Sequence, residues 1–162
     1  MKSSLICKTT FLGILVFSFN LHAAPPFRNG DFEKGKGRWK GDGKIVQEEG
    51  KDNKVLKLEA GKKKQSMELQ FDVPKGATRA KVEYQVKAEN FKPKHEDERG
   101  FTLVWVNQGI WISKHKAAIE GEWMTLTATF KIRPNTKFAG ARFRVDPGSG
   151  ILYFDNLTIK FE

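Results

Sequence analysis

Cysteine, histidine and long apolar runs are nearly absent from this chain of 162 residues. Its one cysteine, Cys7, sits close to the N-terminus, so the remainder has neither a disulfide framework nor a thiol nucleophile. Of the three histidines, His95 and His115 lie beyond residue 24, and neither stands at metal-ligand spacing from a partner, which removes a zinc site. Ser66, Ser113 and Ser149 lack the glycine-flanked context of a nucleophile elbow. No stretch after residue 24 approaches the roughly 20 apolar residues needed to cross a bilayer as a helix. No window reads as a long amphipathic helix, and there is no internal repeat.

The N-terminal stretch reads as an export signal. Lys2 and Lys8 supply a basic start, Phe11 to Phe19 an apolar run, and Ala23 and Ala24 small residues for cleavage. Leu21 or His22 falls where a third small residue is usual. A membrane anchor is the alternative, but the run is too short to span. The expectation is a signal peptide at 1–24, removed on export, and one domain at 25–162 that is secreted or held in the periplasm or cell envelope. That length buries a real core without cross-links.

Of the 29 basic residues, the 27 that remain without Lys2 and Lys8 outnumber the 19 acidic ones by eight. Such a surface favours acidic partners such as polyanionic glycans; the alternative is lysines scattered over solvated faces. Lys62-Lys63-Lys64, beside Gly61, reads as a turn, and Lys92 to Arg99 as an exposed loop.

What the chain does contain is alternation with period two, the mark of half-buried strands. Met67, Leu69, Phe71 and Val73 alternate with polar residues, as do Ala80, Val82, Tyr84 and Val86. The same holds for Met124, Leu126, Ala128, Phe130 and Ile132, and for Ala141, Phe143 and Val145. Shorter strands are expected near Lys44–Gln47, Val55–Glu59 and Ile110–Lys114, with a last one from Ile151 to Phe161. Eight or nine strands separated by Gly/Pro turns predict an all-β chain, an antiparallel β-sandwich or barrel. One segment differs. Phe101 to Val106 is apolar on both faces, so it is either covered on both sides or carries a ligand surface on its second face.

Three segments together resemble the carbohydrate-binding modules of the galactose-binding-like jelly-roll group, the kind attached to xylanases and cellulases. They are Asn29-Gly30-Asp31-Phe32-Glu33-Lys34-Gly35 with Trp39, the stretch from Trp123 to Pro134, and Gly150 to Ile159 with its Tyr153-Phe154-Asp155-Asn156 centre. The resemblance covers nearly all of 25–162. It implies a jelly roll whose first and last segments lie side by side, with Phe32 and Trp39 packed into one end of the core. It also implies a structural calcium held by Glu33 and Asp155, with backbone oxygens near Gly50–Asp52 and the side chain of Asp52; the alternative is that these carboxylates pair with nearby lysines. Calcium suits such a set because it takes six to eight oxygens.

Sugar recognition needs an aromatic face for the apolar side of a pyranose and a few fixed polar groups for its hydroxyls. Trp39 and Trp123 belong to the resembled motifs, which leaves Trp105 and Trp111 as candidate platforms. Gln85, Asn107, Arg142 and Arg144 are the candidate polar partners. An arginine pair suits a carboxylate or sulfate, so an acidic polysaccharide or glycan is expected at least as readily as a neutral one. No catalytic role is expected; Glu83 is the best acid among the alternatives. A secreted adhesion or envelope scaffold without a sugar site is the runner-up, and a polysaccharide-active enzyme follows. No nucleic-acid partner is expected of an exported protein, and nothing in the sequence speaks to oligomeric state.

Overall fold

The computed structural model describes residues 27–95, 101–112 and 120–162. The expected signal peptide lies outside them, as do His115 and residues 96–99 of the charged loop. Ten strands follow in chain order: β1 (Lys40–Gly41), β2 (Lys44–Gln47), β3 (Lys54–Glu59), β4 (Gln65–Asp72), β5 (Arg79–Pro93), β6 (Phe101–Trp105), β7 (Ile110–Ile112), β8 (Met124–Lys131), β9 (Phe138–Val145) and β10 (Gly148–Phe161). A 3₁₀ turn, Val106–Gln108, joins β6 to β7.

These strands form two antiparallel sheets of five. The first runs β1-β4-β9-β6-β7 and the second β2-β3-β10-β5-β8. The expected strands are present among the described residues, with Ser113 and Lys114 of the one near Ile110–Lys114 lying outside them, and with two adjustments. β1 is an added edge strand, and β5 continues to Pro93, so Lys92 and Pro93 close a strand and do not open a loop. Pro93 and Lys92 pair with Gly148 and Ser149 at the start of β10, where a proline at the strand end disturbs little of the ladder.

The period-two pattern sends one row of each strand between the sheets. Leu69 and Phe71 of β4, Leu103 and Trp105 of β6, and Ala141 and Phe143 of β9 meet Leu56 and Leu58 of β3, Val82 and Tyr84 of β5, and Leu152 and Phe154 of β10. Burying each large side chain is worth about 1.5–3 kcal/mol relative to leaving it in water. Phe143 is the hub, with Phe154 at 4.6 Å, Tyr84 at 5.5 Å and Trp39 at 5.7 Å between ring centroids.

Phe32 and Trp39 close one end of the core, both buried, with rings 5.3 Å apart. Phe32 adopts φ 54°, a strained value for a bulky side chain, and packing on all sides holds it there. The chain ends meet as expected: the Leu157 N–H donates to the Gly30 carbonyl at 3.0 Å. A side chain at Gly30 would collide with the Leu157 carbonyl, which is why the opening motif has glycine there.

Candidate functional site

Because β4, β9 and β6 turn apolar residues inward, their alternate residues go to the outer face of the first sheet. Strand register then sets them in line. Lys40 stands opposite Glu68, Glu68 opposite Arg142, Arg142 opposite Val104, and Val104 opposite Trp111. One row thus crosses all five strands, a span of roughly 19 Å at the usual strand spacing. Ser66, Arg144 and Thr102 form the next row.

Both arginines are already engaged. Arg142 Nε and Nη2 reach Glu68 Oε2 at 2.7 and 2.5 Å, and Gln70 Nε2 donates to Glu68 Oε1 at 3.3 Å. Arg144 Nε and Nη2 reach Asp146 Oδ1 at 3.1 and 2.6 Å. The Arg144 guanidinium also lies 4.8 Å from the centre of the Trp111 ring, a cation–π contact that fixes the ring while leaving the residue 38% exposed. Beside Arg142 the face sinks into a groove of about 520 Å3 lined by Arg38, Lys40, Ser66, Glu68 and Gln70. Paired charges hold the polar groups in place, so a hydroxyl-bearing ligand would meet donors and acceptors that need little reordering.

The structure divides the expected ligand-binding residues. Trp111, Arg142 and Arg144 come together on the first sheet. Asn107 is exposed in the turn joining β6 to β7. Trp105 does not belong with them. It is 1% exposed and packs on Phe71 at 5.4 Å and Phe130 at 4.9 Å, so its ring presents no face to a ligand. The reason is phase: Trp105 points inward with Leu103, while Val104 between them points out. Gln85 is also misplaced. It lies on β5 in the second sheet, on the opposite side of the sandwich, where it accepts from Asn156 Nδ2 at 2.9 Å. Glu68, Asp146 and Lys40 were not foreseen. Glu68 is visible as an outward residue of an alternating strand, but its pairing with Arg142 depends on which strands are neighbours.

The outer side of the second sheet carries a closed network. Glu48 Oε1 accepts from Lys51 Nζ at 2.9 Å, Trp123 Nε1 at 3.0 Å and Lys87 Nζ at 3.3 Å, and Oε2 accepts from Asn53 Nδ2 at 3.2 Å. Burial pushes the Glu48 carboxyl up, but the bonds from Trp123, Lys51, Asn53 and Lys87 outweigh it and bring it down to about 2. Lys87 Nζ lies 5.4 Å from the Trp123 ring centre and 5.0 Å from that of Tyr153. The Tyr153 hydroxyl donates to Glu89 Oε2 at 2.9 Å; burial first, and then Glu89, push that phenol up to about 12. A carboxylate held so low is a poor proton donor near neutral pH. Glu83, the acid considered from sequence, accepts from Thr127 Oγ1 at 3.1 Å.

Of the expected calcium residues, Glu33 and Asp155 interact through the repulsion of their charges. Asp155 is 2% exposed, and its carboxyl is pushed up by burial and further by the charges of Glu33 and Asp31. Its oxygens accept from Asn53 Nδ2 at 3.1 Å and from the Asn156 N–H at 2.7 Å. Glu33 Oε1 accepts the Lys54 N–H at 2.8 Å. Asp52 is exposed in the turn between β2 and β3. Among the described residues no group of three acidic, histidine or cysteine side chains is gathered tightly enough to hold a metal by itself. The set therefore fits an oxygen-rich cation only if carbonyl and amide oxygens complete the shell.

No family model matches the sequence, and no curated protein matches it. Solved structures do match. A family 61 carbohydrate-binding module, TmCBM61, solved with β-1,4-galactotriose, aligns with a TM-score of 0.57 at 15% identity, covering 86% of this chain and 100% of that one. A family 16 carbohydrate-binding module aligns at 0.56 and 17% identity, covering 82% and 96%. The enzymatically active domain of tailspike protein 4 from bacteriophage CBA120 aligns at 0.60 and 10% identity, but only 21% of its length is matched. At such identities the likeness is one of fold, and the chain is an antiparallel jelly-roll β-sandwich of the kind on which carbohydrate-binding modules are built.

Proposed function

We propose that this protein binds a polysaccharide or glycan chain, without cleaving it, across the outer face of the first sheet. The observation that carries this reading is the row Lys40–Glu68–Arg142–Val104–Trp111, which ends on an exposed tryptophan braced by Arg144. Trp111 would stack on the apolar side of a pyranose, and Arg142, Glu68 and Gln70 would meet hydroxyls along the row. The fold shared with TmCBM61 and the family 16 module supports the same reading. At Arg142 and Arg144 a neutral sugar is favoured over an acidic one, because Glu68 and Asp146 already neutralise these two arginines; Arg38 and Lys40 of the adjoining groove have no carboxylate partner among the described residues.

Export by the N-terminal signal belongs to this reading. Among the described residues no helix is long and apolar enough to cross a membrane. A structural calcium at Glu33 and Asp155 also belongs to it. Its support is the Asp155 carboxylate, whose charge is disfavoured first by burial and then by Glu33 and Asp31, a cost that a divalent cation would relieve. Bound there, the ion would supply cross-linking charge between the chain's first and last segments.

A glycan array probed at low and high salt, with and without calcium, followed by titration of the best ligand, tests the proposal. Binding that survives salt and is lost in Trp111→Ala is expected. No binding to any polysaccharide, or release of shortened products during incubation, would overturn it.

A further inference from the structure

A second cluster of charge lies away from this face, at the end of the sandwich where three chain segments meet. Lys62, Lys63 and Lys64 occupy the connection from β3 to β4, Lys92 is the last residue but one of β5, and Lys94 follows the strand. The start of β10 draws them together. The Gly148 N–H donates to the Gly61 carbonyl at 3.0 Å, the Lys94 N–H donates to the Pro147 carbonyl at 2.8 Å, and Ser149 pairs with Lys92. A side chain at Gly148 would strike the Lys92 carbonyl, so glycine is what lets β10 approach so closely. Between these segments lies an open groove of about 640 Å3, lined by Lys62, Lys92, Lys94, Pro93, Gly148 and Ser149.

All five lysines are exposed, and none is in an ion pair among the described residues. The two arginines of the first sheet, by contrast, are each neutralised by a carboxylate. An anion therefore meets lysines at this end that no carboxylate among the described residues neutralises, whereas Arg142 and Arg144 are already matched. Lysine ammoniums act as point charges on flexible stems, without the fixed fork of arginine, and so suit spaced, repeating negative charges more than one oriented carboxylate. Among the described residues the exposed large apolar side chains, Trp111 and Phe138, both belong to the first sheet and not to this end.

We infer that the groove bounded by Lys62, Lys92 and Lys94 is a second binding site, taking a linear polyanionic polysaccharide, carboxylated or sulfated, independently of the sugar face. Spaced positive charge of this kind concentrates a polyanion by long-range attraction that salt screens.

The full chain should be titrated with dextran sulfate, polygalacturonate and uncharged dextran, and with vesicles containing phosphatidylglycerol. Binding of both polyanions but not of dextran is expected, weakening about tenfold or more between about 0.05 and 0.5 M salt. The triple variant Lys62→Gln/Lys92→Gln/Lys94→Gln should lose about tenfold at low salt, an estimate for removing three attractive charges, while Trp111→Ala should bind the polyanions as the parent does. Because these lysines are exposed, the variant should fold normally, which its circular dichroism checks. The control Lys75→Gln/Lys81→Gln/Lys160→Gln removes equal charge elsewhere. Equal weakening by the control, unchanged binding in the groove variant, or capture by vesicles without capture by either polyanion would each overturn the inference.

Discussion

The Tyr84 hydroxyl donates to the Ile112 carbonyl at 2.7 Å through the core, joining a central strand of the second sheet to the edge strand of the first. The residue before Ile112 is Trp111. The short strand β7 is therefore pinned from inside by a buried phenol while its tryptophan faces out. Burial pushes that phenol well above the ordinary tyrosine range, which keeps its proton available to donate at neutral pH.

Removing this tie should loosen the platform. Tyr84→Phe keeps the ring packing but leaves the Ile112 carbonyl unpaired, at a cost of about 1–3 kcal/mol. Denaturant unfolding should show that loss, and sugar affinity should fall although Tyr84 touches no ligand. An unchanged affinity would mean that β7 is held by its pairing with β6 alone.

The two candidate tryptophans should separate cleanly. Trp111→Ala should weaken sugar binding about tenfold or more, with little change in stability, as expected for a stacking residue at an exposed site. Trp105→Ala should cost about 3–5 kcal/mol by opening a cavity between Phe71 and Phe130. Trp105→Phe should cost less, since the Trp105 indole N–H has no hydrogen-bond partner among the described residues. Calorimetry of binding and of unfolding on the same three variants distinguishes the roles.

Glu68 sets the charge of the sugar face. Glu68→Gln should leave Arg142 without its counter-ion and shift preference toward carboxylated sugars. Parallel titrations with neutral and uronate oligosaccharides of the array-selected backbone read that shift. If the two affinities keep their ratio, Arg142 does not contact the ligand.

Glu48 predicts an acid limit to stability. Its carboxyl is lowered in the folded state from 4.5 to about 2. A lowered carboxylate contributes stability that is present above the unfolded value and is lost as pH falls through the folded one. Stability should therefore drop as the pH falls from about 4.5 to about 2. In Glu48→Gln this component should be missing, and the variant should already be less stable at pH 7 because Lys87 loses the nearer of its two carboxylate partners. Melting curves across that range compare the two.

Asp155 works in the opposite sense. Its carboxyl is raised in the folded state by burial and by Glu33 and Asp31, so ionisation at neutral pH opposes folding unless a cation offsets it. Calcium should raise the melting temperature of the parent chain. Asp155→Asn should remove that gain and, in EDTA, melt no lower than the parent. Equal melting temperatures of the parent in calcium and EDTA would remove the metal from this site.

The sandwich was legible because its signal is local. Alternation such as Met67, Leu69, Phe71 against Glu68, Gln70, Asp72 reports a half-buried strand whatever lies beside it. Phe32 and Trp39 were legible as core, and the meeting of Gly30 with Leu157 followed from the resemblance. The site was legible only in part. Trp111, Arg142 and Arg144 share a face, but Gln85 lies on the far side, because an outward residue of β5 and one of β9 look alike in sequence while belonging to different sheets.

By itself, then, the sequence determined the strands, their turns, the inward rows and the excess of positive charge, since each depends on residue type and spacing along a few positions. Sheet membership and register decided the rest. They buried Trp105 and exposed Trp111, matched Arg142 with Glu68, and brought Lys62 beside Lys92. Such pairings are contacts between residues tens of positions apart, and a period-two pattern has the same form in every strand, so only the packing of one layer on the other selects among them.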